Sequence, residues 1–278
     1  MTPADLAALD TAVAQSPRAV GVPAANWNWK AVRRSVVDQP GKQRKRSRCF
    51  RALHRLGVVV KRPKKRLLKA NAVNRAQFVS DYAHLQREAE ASGALIIFVD
   101  EAHVYADADL HRLWVHKGAA ALVDSCSPGY GEQASYYSGV CLETGAVDVL
   151  GLVGSSCAET RAAFLRQLRA AHPEPLVVIW DNGPAHGGDA LRTYLTTPDL
   201  RLRLIRLPAC SPDYNADEHI WRWVREEAPA NTRFGTAAKV RGHVDAFFRK
   251  LGVRTAEVRQ RWRTNLQSAT ESLATTPI

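Results

Sequence analysis

Three acidic residues occupy positions where carboxylates could act together on one metal site. Asp100 follows the continuous apolar run at residues 94–99, and Asp181 follows a second such run at residues 176–180. Runs of this kind are typical of buried strands, and ligands of α/β sheets gather near strand ends. Glu218 falls in the first turn of a predicted helix. We therefore expect the three side chains to converge.

Carboxylates that converge repel one another unless a cation neutralises them. Oxygen ligands favour Mg²⁺ or Mn²⁺. Two such ions about 3.5–4 Å apart can activate an attacking oxygen and stabilise a leaving oxygen on phosphorus. Taken singly, an Asp after a strand is often a turn residue, and a first-turn Glu is favoured by the helix dipole. The combination predicts a site for two Mg²⁺ or Mn²⁺ ions held by Asp100, Asp181 and Glu218.

Alternating strands and helices should position these acids. Turn signals at Gly129–Gly131 and Glu143–Gly145 separate apolar runs, and the helix that carries Glu218 follows a Pro-rich loop in which Asn215 is a candidate N-cap. The predicted strands are residues 94–99, 113–115, 136–142, 147–153, 176–180 and 202–207, with helices at about 157–171, 186–195 and 215–224.

The positive charge of the chain is concentrated near its N-terminus. The net charge is +12, yet the stretch between Asp38 and Asp81 holds no acid at all. A local excess of this sign suggests a polyanionic partner such as DNA. A solvated basic face is the ordinary alternative, but here the arginines alternate with apolar residues that a disordered tail would not need. The predicted DNA-contacting residues are Arg44, Lys45, Arg46, Arg48, Arg51, Arg55, Lys61, Arg62, Lys64 and Lys65.

The N-terminal part has the signals of a winged helix-turn-helix. Thr2-Pro3 predicts a helix start, Pro40-Gly41 a turn, and Gly57 the end of a basic second helix. Val58–Val60 is a candidate strand of the wing, followed by a basic run. The basic helix would enter the major groove while the wing contacts phosphates.

Composition excludes several other classes. The chain has 278 residues, with 46% hydrophobic and 24% charged, as expected for one large or two smaller globular domains. No apolar run approaches the roughly 20 residues that span a bilayer, and the N-terminus lacks the pattern of a signal peptide. Five dispersed cysteines fit reduced thiols rather than a disulfide framework. We expect a cytoplasmic, nucleoid-associated protein without a membrane partner.

The motifs around the three acids resemble the IS630-type transposases of the IS630/Tc1/mariner superfamily. The resemblance covers residues 95–227 and rests on a strand-Asp, a strand-Asp-Asn-x-x-x-His and a Leu-Pro-x-x-Ser-Pro-x-x-Asn-x-x-Glu-x-x-Trp element. The strings are IIFVDEAHVYADADLHRLWVHKG, VVIWDNGPAHGGDALRTYL and LRLIRLPACSPDYNADEHIWRWVREE, while the upstream GVPAANWNWKAVRRSVVDQPG and LHRLGVVVKRPKK resemble the family's second helix-turn-helix.

This resemblance implies an α/β fold: an RNase H-like mixed sheet flanked by helices, preceded by a small helical winged helix-turn-helix domain. The implied domains are residues 1–70 for DNA binding, 71–92 for a linker helix and 93–278 for catalysis. The implied catalytic acids are Asp100, Asp181 and Glu218, with Asn182, His186, Lys117 and Asn215 supporting the metal site or touching DNA. The ordinary alternatives are a histidine on a helix surface at position 186 and a solvated Lys117.

The implied function is a DNA transposase that cleaves and joins transposon ends, acting as a homodimer on double-stranded DNA with terminal inverted repeats and a TA target. Two alternatives stay open: an inactive transposase-derived DNA-binding protein, and an RNase H-like nuclease without strand transfer. The family usually has Pro-Ile before the last Glu, whereas this chain has Ala216-Asp217, so Asp217 is a competing ligand candidate. The family also carries an earlier helix-turn-helix, and we expect an N-terminally shortened chain.

Overall fold

The computed structural model describes residues 2–35, 45–60, 70–125, 131–181, 188–261 and 265–275. The chain divides into two compact units, Met1–Arg66 and Leu67–Ile278. Among the described helices, none is both long and apolar enough to cross a membrane. Among the described cysteines, Cys49, Cys141, Cys157 and Cys210 are in no disulfide.

The first unit is a small helical cluster. It contains α1 (Pro3–Val13), a 3₁₀ turn (Pro17–Val20), α2 (Trp29–Ser35) and α3 (Arg46–Arg55). Thr2 begins α1 through a capping box, because its hydroxyl accepts a hydrogen bond from the Asp5 backbone and its own N–H donates to the Asp5 carboxylate. The core of this unit consists of Leu9, Val32, Cys49, Ala52 and Leu53.

The second unit is built on a mixed five-stranded sheet in the order β3-β2-β1-β4-β5. Its strands are β1 (Leu95–Tyr105), β2 (Gln133–Cys141), β3 (Val147–Leu152), β4 (Leu176–Trp180) and β5 (Leu202–Arg206). β2 is antiparallel to both β1 and β3, while β1, β4 and β5 run parallel. The carboxyl ends of β4 and β5 and the middle of the long β1 therefore meet at one edge.

Helices cover both faces of this sheet. They are α4 (Ala72–Ser92), α5 (Ala158–Ala171), α6 (Asp189–Leu195), α7 (Asp217–Glu227), α8 (Ala237–Leu251), α9 (Thr255–Gln260) and α10 (Asn265–Thr275). Side chains alternate along β1, so Ile96 and Phe98 join a core with α4, α7 and α8, whereas Ile97 and Val99 join a core with α5 and α6. Each face of the sheet is thus filled by a separate apolar cluster.

The helix predicted as a linker contributes to the first of these cores. Phe78, Tyr82 and Leu85 of α4 are buried against the sheet of the second unit. Asn71 caps this helix by accepting hydrogen bonds from the Val73 and Asn74 backbones. The helix is therefore part of the second unit and packs against its sheet.

Two strand predictions are wrong. Leu113–Val115 has no regular secondary structure, and Trp114 is fully exposed, because no neighbouring strand pairs with this described stretch. The described residues Val58–Val60 form no strand either, and Val60 is 94% exposed. The rest of the predicted wing, residues 61–66, lies outside the described residues. Apolar side chains alone do not make a strand, since each strand needs a partner for its backbone groups.

Candidate active site

Asp100 and Asp181 lie at the same level of adjacent parallel strands. The β1–β4 ladder pairs Phe98 with Ile179 and Val99 with Trp180. One further step along both strands brings Asp100 opposite Asp181, which directly follows β4. Neighbouring strands are about 4.7–4.9 Å apart, so the two carboxylates start from closely spaced backbone positions.

Both acids face the helix that carries the third. Asp100 shares a face with Phe98, and Asp181 shares one with Ile179, because side chains alternate along a strand. Phe98 and Ile179 belong to the core that includes α7, and Glu218 lies in the first turn of α7. The fold therefore brings the three predicted acids to one face of the sheet.

The pKa of Asp100 shows how closely these acids interact. Burial raises this pKa well above its usual range, and the negative charges of Asp217, Glu218 and Asp181 raise it further. Burial also raises the pKa of Glu218; two arginines of its own helix lower it, and Asp181 raises it again. Asp100 is thus easier to protonate, first because it is buried and then because other acids lie near it.

A divalent cation fits this arrangement chemically. The donors are carboxylate oxygens, and Mg²⁺ and Mn²⁺ prefer oxygen. A cation would also offset the repulsion that raises the pKa of Asp100. In the described part of the chain, no three His, Cys, Asp or Glu side chains are already gathered closely enough to hold an ion. The acids are near enough to affect the pKa of Asp100, but they do not form a complete set of metal ligands among the described residues.

Asn215 connects the start of α7 to β1. Its side-chain amide donates a hydrogen bond to the Val99 carbonyl (3.0 Å), and its Oδ1 accepts one from the Asp217 backbone N–H (3.1 Å). The residue is 2% exposed. The predicted N-cap position is wrong by one residue, because α7 begins at Asp217 with Ala216 as its N-cap, although Asn215 still accepts a hydrogen bond from the first helical residue. The hydrogen bond to Val99, the strand residue before Asp100, was not predicted from the sequence.

Asp217 is fully buried beside the three acids. Its Oδ2 accepts hydrogen bonds from the Ser138 hydroxyl and from the indole N–H of Trp221 (3.1 Å). Its Oδ1 has no hydrogen-bond partner among the described residues. Burial raises the pKa of Asp217 to about 8, against the lowering effect of its two hydrogen bonds. The sequence identified Asp217 as a departure from the family pattern but not its buried contacts.

Glu101 and Lys117 have surroundings different from those of the three acids. Glu101 faces the opposite side of β1 from Asp100 and lies 3.8 Å from the buried Arg161 of α5. Lys117 is exposed in a turn of the stretch between β1 and β2. The predicted supporting residues Asn182 and His186 lie outside the described residues.

The predicted DNA-contacting helix is amphipathic. Cys49, Ala52 and Leu53 of α3 face the core of the first unit. Its basic residues point into solvent, where they are accessible to a polyanion; these are Lys45, Arg46, Arg48, Arg51 and Arg55. The remaining predicted contacts, Arg44, Lys61, Arg62, Lys64 and Lys65, lie outside the described residues.

A family profile described as "DDE superfamily endonuclease" matches residues 95–241, which is more than half of the chain. The chain therefore belongs to the DDE superfamily endonuclease family, and the family prediction made from the motifs is confirmed. The matched region contains β1, β4 and α7, and with them all three predicted acids. A search of curated proteins finds no significant match.

Solved structures of Mos1 transposase share the fold. The Mos1 strand transfer complex aligns with a TM-score of 0.63 at 15% identity, over 100% of this chain and 79% of that one. The Mos1 transposase paired-end complex with the left transposon end gives 0.65 at 16%, over 97% and 79%. The Mos1 mariner paired end complex with Mn gives 0.62 at 16%, over the same shares. The predicted RNase H-like mixed sheet flanked by helices is confirmed.

Proposed function

We propose that this protein is a DNA transposase that cleaves phosphodiester bonds and transfers DNA strands at transposon ends. The observation that carries the proposal is the register of β1 and β4, which brings Asp100 level with Asp181 on the face where α7 supplies Glu218. Membership of the endonuclease family gives the reaction class. The likeness to Mos1 complexes that contain a transposon end supports the substrate.

Asp100, Asp181 and Glu218 are the proposed ligands of two Mg²⁺ or Mn²⁺ ions. Divalent cations bound there would supply activation of an attacking oxygen and neutralisation of charge on the transferred phosphate. The protein's own contribution is to hold three carboxylates on one face of the sheet, with Asp100 and Glu218 partly buried and Asp181 exposed. Related Mos1 complexes contain Mn or Mg, which supports the choice of ion.

The proposed reaction has two steps, each of which breaks one phosphorus–oxygen bond and forms another. Water first displaces the 3′ oxygen from a phosphate at the transposon end, which leaves a free 3′-hydroxyl. That hydroxyl then attacks a phosphate of the target DNA and displaces its 3′ oxygen, so the number of phosphodiester bonds is conserved in this second step. The acids would hold the divalent cations, which would neutralise the phosphate and favour in-line attack.

The first unit is the proposed DNA-binding module, and residues 1–70, 71–92 and 93–278 remain the proposed domain boundaries. Exposed arginines on one face of α3 support contact with the duplex. We also propose a homodimer on DNA, since joining two ends takes two active sites, with terminal inverted repeats and a TA target as substrates. The proposed location is the cytoplasm, in association with the nucleoid.

Nicking of supercoiled plasmid in Mg²⁺ or Mn²⁺ tests the proposal. Asp181→Ala should bind DNA as the wild type does in a gel-shift assay and should lose nicking. Asp189→Ala is the matched control, since this exposed acid of α6 pairs only with Arg192 among the described residues. Unchanged nicking by Asp181→Ala would contradict the site assignment. A joining assay with a pre-cut 3′-hydroxyl end then separates a transposase from a nuclease without strand transfer.

A further inference from the structure

We propose that Asp217 is an additional carboxylate ligand, through its Oδ1, of the divalent cation that Asp100 binds. This inference rests on the proposed function, because it extends the same metal site by a fourth acid. It concerns a residue at which this chain departs from the pattern of the family it resembles, where an isoleucine usually stands.

The contacts of Asp217 fix the orientation of its carboxylate. The Ser138 hydroxyl and the Trp221 indole both donate to Oδ2. Asp217 is 0% exposed and Trp221 is 1% exposed. Neither the Asp217 carboxylate nor the Trp221 indole can therefore turn outward to water. One oxygen of the carboxylate is therefore held, and the other is left for a different partner.

Ser138 places this carboxylate next to Asp100. In the antiparallel β1–β2 ladder, Asp100 lies directly opposite Ser138. Directly opposed residues of an antiparallel pair project from the same face of the sheet. The Ser138 hydroxyl donates its hydrogen bond to Oδ2 of Asp217 on this same face. Asp217 therefore lies beside Asp100.

The free oxygen of Asp217 needs an explanation. Its Oδ1 is buried without a hydrogen-bond donor among the described residues, and such atoms are rare because an unpaired buried acceptor costs free energy. An apolar residue would fill this position without that cost. A cation shared with Asp100 satisfies Oδ1 and at the same time removes the repulsion between the two acids.

Mn²⁺ binding tests the inference independently of activity. In calorimetric titrations, Asp217→Asn should bind Mn²⁺ at least about tenfold more weakly than the wild type. The asparagine keeps an acceptor for Ser138 and Trp221 but replaces Oδ1 by an NH₂ group, which repels a cation. Asp245→Asn is the control, because Asp245 accepts a hydrogen bond from Tyr136 elsewhere in the same unit; it should bind as the wild type does.

Two comparisons keep this test separate from that of the proposed function. If the wild type and Asp181→Ala bind Mn²⁺ equally, the proposed active site is wrong. If Asp181→Ala loses binding while Asp217→Asn retains wild-type affinity, only the inference on Asp217 is overturned.

Should Asp217→Asn fail to fold, anomalous diffraction from Mn²⁺-soaked crystals of the wild type decides the question without any substitution. A peak about 2.1 Å from Asp217 Oδ1 is the expected result. A peak that contacts only Asp100, Asp181 and Glu218 overturns the inference.

Discussion

The side-chain amide of Asn215 donates a hydrogen bond to the backbone carbonyl of Val99, 3.0 Å away. This contact joins the turn before α7 to the strand residue that precedes Asp100. Because the same side chain also accepts a hydrogen bond from the Asp217 backbone, it sets the first turn of α7 relative to β1. The separation of Asp100 and Glu218 thus depends on a residue that carries no charge.

Replacing Asn215 by alanine should therefore lower catalysis more than it lowers stability. The loss of two buried hydrogen bonds should cost about 1–3 kcal/mol of unfolding free energy. Nicking should fall about 10–100-fold, as it does when groups that orient metal ligands are removed. Urea denaturation and plasmid nicking measure the two effects. Asn74→Ala, at an exposed position of α4, is the control and should change neither. Wild-type nicking by Asn215→Ala would show that the contact does not position the site.

Asp100→Asn should stabilise the metal-free protein while it abolishes metal binding. The folded-state pKa of Asp100 is raised, so the folded state holds its proton more tightly than the unfolded chain, whose Asp pKa is about 3.9. The stability of the wild type should then fall as pH rises from about 4 through the folded-state pKa. At pH 8 the variant should be more stable by about 0.5–2 kcal/mol.

Thermal unfolding across this pH range measures the effect. The difference between Asp100→Asn and the wild type should shrink as the pH falls below the unfolded-state pKa of about 3.9, where Asp100 becomes protonated in both states. Saturating Mn²⁺ should raise the melting temperature of the wild type alone, because a ligand stabilises only the state that binds it. A variant less stable than the wild type at pH 8 would contradict the assigned repulsion.

Arg51→Ala should weaken DNA binding in a salt-dependent manner. Arg51 is exposed on α3, opposite the buried Cys49, Ala52 and Leu53. If it neutralises one phosphate, the slope of log K against log salt should decrease by about 0.9. Fluorescence anisotropy with labelled duplex DNA at several salt concentrations gives this slope. Arg192→Ala removes an exposed arginine from α6 and should leave the slope unchanged; equal slopes for all three proteins would exclude Arg51 from the interface.

Leu9→Ala should unfold the first unit and spare the second. Leu9 is 1% exposed in the small core of α1, α2 and α3, and a buried Leu→Ala change costs about 2–5 kcal/mol. A cluster of this size has little stability to lose. We expect DNA binding to be lost while Mn²⁺ binding by the second unit persists. Leu110→Ala, at a 73% exposed position, is the control. Loss of both functions in Leu9→Ala would mean that the units do not fold independently.

The order of the elements around the acids follows from local sequence pattern. The apolar run at Leu176–Trp180 forms β4 as predicted, and the alternating apolar and basic residues of Arg46–Arg55 form the amphipathic α3. In both cases the signal is a pattern of apolar residues within one short segment, which predicts its secondary structure directly. The prediction of the three acids came instead from motifs that resemble those of a known family.

Tertiary structure decided what those patterns could not. Leu113–Val115 has the composition of a strand but no partner, and α4 has the position of a linker but packs into the core of the second unit. The contacts of Asn215 with Val99 and of Asp217 with Ser138 join residues far apart in sequence. The reason is physical. Strand pairing and burial depend on which surfaces meet in three dimensions, whereas sequence pattern shows only which secondary structure each segment favours.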